Sequence, residues 1–246
     1  MGLFKPAWMN KNEKKALIAV KKLTDQARIA RAAQEGSSNI RLAAIKKLVD
    51  QKLLAGIAKD AVELFNNNYY NIIIVIEKLT DQGALYDVAK NARHIDMRCA
   101  AVEKLMDQGV LTDFAKNDEN DEVRFIAAKK LIDKTLAQEI YIDIAQNGEP
   151  LEVRINAAGE LTNQNLAQEI YANIASYVNN DYHREMLFER LKDKNVFIER
   201  CCNKGNHLWF YKADTAQRGD FYDVDEFRVC KVCGKKEYSG SYSRKA

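Results

Sequence analysis

Residues 103–109 read EKLMDQG, and residues 77–83 read EKLTDQG. Related copies stand on both sides: KKLTDQ at 21–26, KKLVDQ at 46–51, KKLIDK at 129–134, GELTNQ at 159–164 and ERLKDK at 189–194. Aligned on the leucine, they place Leu23, Leu48, Leu79, Leu105, Leu131, Leu161 and Leu191 at spacings of 25, 31, 26, 26, 30 and 30 residues. Recurrence at this length marks an array of small units, none of which can bury its apolar face alone.

Inside one unit, VRFIAAKKL at 123–131 sets Val123, Ala127 and Leu131 at i, i+4 and i+8, a single helical stripe. The motif turns at Asp-Gln, with Gly83 or Gly109 following in two copies, and a second stripe begins: Leu85, Val88 and Ala89 in one unit, Leu111, Phe114 and Ala115 in the next. Each unit therefore reads as a helix A, a tight turn and a shorter helix B. In the fifth and sixth units helix B gains four residues (LAQEIYIDIAQN, LAQEIYANIAS), close to one helical turn, so its stripe keeps its face. NDENDE at 117–122 and NGEPLE at 147–152 read as helix starts, with Asn or Asp as the capping residue and Pro150 in the first helical turn.

Two polar positions recur with the leucines. Arg41, Arg98, Arg124, Arg154 and Arg184 stand seven residues before them, and Asp25, Asp50, Asp81, Asp107, Asp133 and Asp193 two after, with Asn163 as the exception. Either these rows form a ligand-binding ladder, or each Asp caps helix B or pairs with an arginine of the adjacent unit; the second reading is preferred. The third unit departs from the pattern: Ile72 fills the arginine slot and the helix reads YYNIIIVIEKL. It is either a partner surface made of Tyr69, Tyr70 and Ile73 or a helix buried on both sides behind the longer FNNN loop at 65–68, the reading preferred here.

The pattern VRxAAxxKLxDQxxLxxIAKN resembles the HEAT-repeat family, in a short bacterial variant, over about residues 13–200. The resemblance implies paired antiparallel helices stacked into a curved α-solenoid of about six to seven hairpins, whose concave face binds other macromolecules. It does not imply one activity. Among enzymatic relatives, a di-iron hydroxylase needs paired His-Glu motifs, and none of His94, His183 and His207 is followed by Glu. The fold class expected is all-α, with residues 1–12 (Phe4, Pro6, Trp8) capping one end and a small zinc-bound β-ribbon following the solenoid.

After Arg200 the helical period stops. CCNKGNHLWFYKAD at 201–214 and DEFRVCKVCGKKEYS at 225–239 alternate apolar and polar residues, as short strands do. Cys230 and Cys233 are separated by two residues and precede Gly234, which permits a tight knuckle. Cys202 with His207, or Cys201 in place of Cys202, would complete a Cys₃His site for zinc, with Zn–S near ~2.3 Å. Four protein ligands leave no open position for water, so the expected Zn2+ is structural. This module is assigned to 201–240 and a flexible tail to 241–246. Cys99 occupies the slot filled elsewhere by Leu42, Phe125 and Ile155 and reads as a core residue.

Composition narrows function. Hydrophobic residues at 47% and charged ones at 30% fit a folded soluble chain, and two prolines with eleven glycines fit helix nearly throughout. The longest aliphatic run, Ile72–Ile76, is far short of the ~20 residues of a spanning helix. The first fifteen residues lack the apolar core of a signal peptide, and the expected location is cytoplasmic with no membrane partner. Lys+Arg and Asp+Glu balance at 29 each through residue 200, and the last 46 residues hold 9 against 6, so the whole excess of +3 lies in the tail. The leading expectation is a non-enzymatic interaction scaffold with a protein partner. The alternative is nucleic-acid binding by the tail, where Trp209, Phe210, Tyr211, Phe221 and Tyr222 mix with Lys212, Arg218, Arg228, Lys231, Lys235 and Lys236. No Gly-rich phosphate loop, GxSxG elbow or His set against a nucleophile points to an enzyme.

Overall fold

The fold follows from where each motif letter goes. In a computed structural model of the chain, residues 5–60, 69–178, 180–200, 202, 209–218, 221–230 and 233–245 are described, with backbone alone at 69–73, 209–218, 221–229 and 238–245. Among them are fourteen α-helices and one three-stranded sheet. The chain divides into two compact units, Met1–Ala137 and Gln138–Ala246. The division falls inside a helix of the fifth repeat.

The first unit contains helices α1 (Glu13–Lys22), α2 (Gln26–Glu35), α3 (Ser38–Lys47), α4 (Gln51–Lys59), α5 (Tyr69–Lys78), α6 (Gln82–Asn91), α7 (Ile95–Lys104), α8 (Gln108–Asn117), α9 (Asp121–Lys130) and the start of α10 (Lys134–Asn147). Odd-numbered helices are the A helices and pack in a row, α1 on α3, α3 on α5, α5 on α7 and α7 on α9; α2, α4 and α6 pack in a second row. Ahead of them Ala7–Met9 forms one 3₁₀ turn against α1, with Trp8 buried and Phe4 outside the described residues. The second unit continues with α11 (Leu151–Gly159), α12 (Gln164–Ala175), α13 (Asp181–Arg190) and α14 (Lys194–Arg200), where α11 packs on α13 and α12 on α14. At 14 and 12 residues, α10 and α12 are longer than the 10 of α6 and α8, as the extra LAQE turn predicts.

The motif leucine ends each A helix. Leu48, Leu79, Leu105, Leu131, Leu161 and Leu191 are all at most 2% exposed, and Leu23 of the first unit is half-buried. Leu105, typically, leaves the helix with extended backbone (φ −67°, ψ 145°), which starts the turn. Two residues on, the Asp accepts the orphan N–H groups that open helix B: Arg28 N donates to Asp25 (2.7 Å), Leu53 N to Asp50 (3.0 Å), Ala84 N to Asp81 (2.8 Å) and Val110 N to Asp107 (2.8 Å). Asp133, Asn163 and Asp193 do the same for Leu136, Leu166 and Asn195.

The motif glutamine acts across repeats, a role its sequence position does not announce. Gln108 Oε1 accepts from Ile132 N (2.9 Å) while its Nε2 donates to the Lys130 carbonyl (3.3 Å). Gln82 binds Met106 N and the Lys104 carbonyl, and Gln51 binds Thr80 N and the Lys78 carbonyl. In the second unit Gln138 and Gln168 make the same pair of bonds to Thr162 and Glu160 and to Lys192 and Arg190. One amide thus closes the turn of the next hairpin.

Three sequence expectations need correction. Pro150 is the capping residue before α11, not a residue of its first turn, because its ψ of 172° is extended. The strands are β1 (Trp209–Arg218), β2 (Phe221–Cys230) and β3 (Lys236–Lys245), in antiparallel order β1-β2-β3, each ten residues and not short. β3 continues past residue 240 and pairs Lys245 with Phe221, so backbone ladder bonds hold most of the segment read as a flexible tail. The choice between the two readings of Tyr69, Tyr70 and Ile73, and the FNNN loop, lies outside the described side chains and residues.

Three substitutions in one motif should behave differently in chemical denaturation. Leu105→Ala is expected to lose about 2–5 kcal/mol, Gln108→Ala about 1 kcal/mol by stranding two backbone groups, and Met106→Ala, at 77% exposure, less than about 0.5 kcal/mol. Equal midpoints for Leu105→Ala and the parent would refute the register.

Candidate metal centre

The sheet topology brings distant cysteines together. β1 and β2 pair with Trp209 opposite Cys230, so β1 begins beside the end of β2. Beyond β2 the backbone turns: Gly234 N donates to the Cys230 carbonyl (3.0 Å) and Cys230 N to the Lys235 carbonyl (2.8 Å). Gly234 has φ of +74°, a conformation that disfavours any residue with a Cβ, which is why a glycine follows Cys233.

The Sγ atoms of Cys202, Cys230 and Cys233 all lie within 4.8 Å of one another. Cys202 and Cys230 are buried, with sulfurs 3.7 Å apart in thiol–thiol contact, and Cys233 is exposed. Two sulfurs each bonded to one tetrahedral ion at ~2.3 Å would be about 3.8 Å apart, so the donor set fits a thiophilic divalent ion. That separation is far beyond the ~2.05 Å of a disulfide. Burial, then the hydrogen bond with Cys230 and its charge, push the Cys202 thiol up. A bound dication reverses that balance by stabilising thiolates. Of the expected ligands the structure thus brings together Cys202, Cys230 and Cys233; Cys201 and His207 lie outside the described residues.

Cys99 stands apart in α7, 7% exposed. Burial, then the carboxylates of Glu122, Asp96 and Glu103, push its thiol up to about 12 from an ordinary value near 9. It is an inert core residue. His94 precedes α7 and accepts from Asp96 N (3.3 Å), while His183 lies in the first turn of α13 against Tyr182. The tail aromatics from Trp209 to Tyr222, with Lys212, Arg218, Arg228 and Lys231, have side chains outside the described set; Lys235 and Lys236 are exposed.

The repeated arginines and aspartates do not face each other as a ligand ladder. The aspartates are occupied as caps. Three of the five arginines reach back to the preceding B helix, where Arg98 Nε donates to Ala89 (3.3 Å), Arg124 Nε to Ala115 (3.2 Å) and Arg154 Nε to Ala145 (3.2 Å); Arg41 and Arg184 do not. Arg98 also holds Asp118 in the following loop at 2.6 Å, with that carboxylate 2% exposed.

Titrating the reduced chain with Cd2+ should produce a thiolate-to-metal absorption band that Cys230→Ser abolishes and Cys99→Ser leaves intact; a band insensitive to Cys230 would exclude this centre. The alkaline limb tests Cys99 separately. Its folded-state pKa is raised, so its contribution to stability is full below about pH 9 and is lost as pH climbs toward about 12. Cys99→Ala should therefore flatten the fall of stability over that window by about 1 kcal/mol per pH unit, and parallel profiles for variant and parent would contradict the assignment.

The chain matches no family model, no curated protein and no solved structure.

Proposed function

We propose that the chain is a non-enzymatic protein-interaction scaffold: a HEAT-like α-solenoid followed by a zinc-ribbon module. Zinc is held there by Cys202, Cys230, Cys233 and His207, with Cys201 the alternative to Cys202. With all four positions filled by protein, the metal supplies folding energy to a small sheet and no chemistry.

The observation that carries the scaffold reading is the variable letter of the motif. In K-L-x-D-Q the leucine is core, the Asp caps, and in the first four copies the Gln bridges; the x side chain fills no core, and where it is Thr80 or Thr162 its hydroxyl donates to the bridging glutamine. At that position Val49 is 65% exposed, Met106 77% and Ile132 76%. A polar residue suits that position, and Thr24, Thr80 and Thr162 occupy it in other copies. Large apolar side chains recurring at the turns of the first unit, with no core to fill, fit a surface that another protein covers. Every catalytic class would instead need convergent polar groups, whereas the repeated Asp and Gln side chains are spent on backbone.

The test is capture of partners by the full chain from native lysate, with and without nuclease. The combined variant Val49→Ser, Met106→Ser, Ile132→Ser is expected to lose nuclease-resistant protein partners while its denaturation midpoint stays within about 0.5 kcal/mol of the parent. Undiminished capture by that variant would overturn the proposed surface. Loss of every partner on nuclease treatment would transfer the reading to nucleic acid and the ribbon.

A further inference from the structure

Of the five arginines in the row, Arg98, Arg124 and Arg184 pair with carboxylates, and among the described residues Arg41 and Arg154 do not. Arg98, Arg124 and Arg154 are anchored through Nε to a helix carbonyl, and they and Arg184 offer terminal nitrogens to a neighbour. Arg98 takes carboxylates on both, Asp118 at 2.6 and 2.7 Å and Glu119 at 3.0 Å. Arg124 takes Asp121 at 2.6 Å, and Arg184 takes Asp181. Those two aspartates stand three residues before their arginines, and in the intervening repeat that position is Leu151. Arg154 accordingly binds only neutral acceptors, the Tyr177 hydroxyl (2.8 Å) and the Gln146 carbonyl (2.9 Å). With three of its five N–H groups used, two remain.

A cleft of about 320 Å3 opens beside it, lined also by Arg200, Asn173, Leu166 and Ile170. Among the described residues neither Arg154 nor Arg200 makes an ion pair. Glu169, on the same cleft, is exposed and bonds to neither, so the lining carries two cations against one anion. The helices that build it, α10, α11, α12 and α14, are held by the ladder just described, so the guanidinium is positioned before any ligand arrives.

We infer that this cleft binds a carboxylate, which completes at Arg154 the pairing that Asp118, Asp121 and Asp181 supply within the chain. Arg154 offers two parallel N–H donors to the carboxylate oxygens, Arg200 adds charge from the rim, and Leu166 and Ile170 contact the methylenes that carry the group. A carboxylate on an acidic peptide and one on a small free acid share this chemistry. The site stands on α10–α14 alone and does not rest on the scaffold reading.

A fluorescein-labelled, amide-capped peptide of sequence NDENDE, the chain's own acidic loop, titrated into the full-length protein at low salt, tests it. Saturable binding is expected, weakened about tenfold by Arg154→Gln. Arg154 also ties helix ends, so Arg200→Gln and Glu169→Gln, both exposed, give readouts free of misfolding. The first should weaken binding about threefold and the second tighten it about threefold, by removing an attractive and a repulsive charge. Displacement by glutarate at equal concentration assigns the site to a free dicarboxylate, and resistance to glutarate assigns it to an acidic peptide segment. No saturation, affinities unchanged in Arg200→Gln and Glu169→Gln, or displacement by inorganic phosphate as effective as by glutarate would each overturn the proposal.

Discussion

The glutamine amide between successive hairpins is the constraint on which the helical array depends. A helical hairpin with a three-residue turn ends helix A with carbonyls that have no partner and begins the turn with N–H groups that have none. A glutamine side chain carries one acceptor and two donors on a rigid plane, so it meets both needs at once. Gln51, Gln82, Gln108, Gln138 and Gln168 each do this for the hairpin that follows. Lysines supplement them in the first unit: Lys78 donates to the Lys46 carbonyl (3.0 Å), Lys104 to Ile76 (2.9 Å) and Lys130 to Glu103 (2.5 Å), setting a cation on the negative end of the previous A helix. The leucines supply the burial energy, and these polar bonds select one register in which it is collected.

This division explains what was legible beforehand. Leucine and aspartate act within their own hairpin, through helical period and local capping, and both follow from spacing. Glutamine acts on groups 22 to 30 residues away, and nothing in a local pattern names them. The motif even misleads: Gln164 sits where Gln82 and Gln108 sit, yet it donates to the Leu161 carbonyl of its own turn. The bridging residue of that repeat is Gln168, four positions later. Because four residues are nearly one helical turn, the insertion moves the letter along the sequence while leaving it on the same helix face.

The tail divides in the same way. Cys230, Cys233 and Gly234 form a local knuckle and could be read from spacing alone. That Cys202 joins them depends on β1 and β2 pairing in the register that sets Trp209 opposite Cys230, a long-range fact. Cys201 and Cys202 are adjacent and identical in chemistry, so spacing cannot separate them. The extent of β3 was missed for another reason: SGSYSRK lacks the apolar alternation by which strands are recognised, and its order comes from ladder bonds to β2, whose own sequence carries the signal.

The arginine row shows how a repeat acquires a site without acquiring a new residue. The anchoring bond from Nε to an alanine carbonyl recurs at Arg98, Arg124 and Arg154. What changes is the surrounding loop, which presents Asp118 to Arg98, an aspartate three residues back to Arg124, and only Leu151 and Tyr177 to Arg154. A half-buried guanidinium is costly to leave without a counter-charge, and two of the three repeats supply one from within. The third keeps the cation and its anchoring bond, lacks the acid, and has a cleft beside the guanidinium.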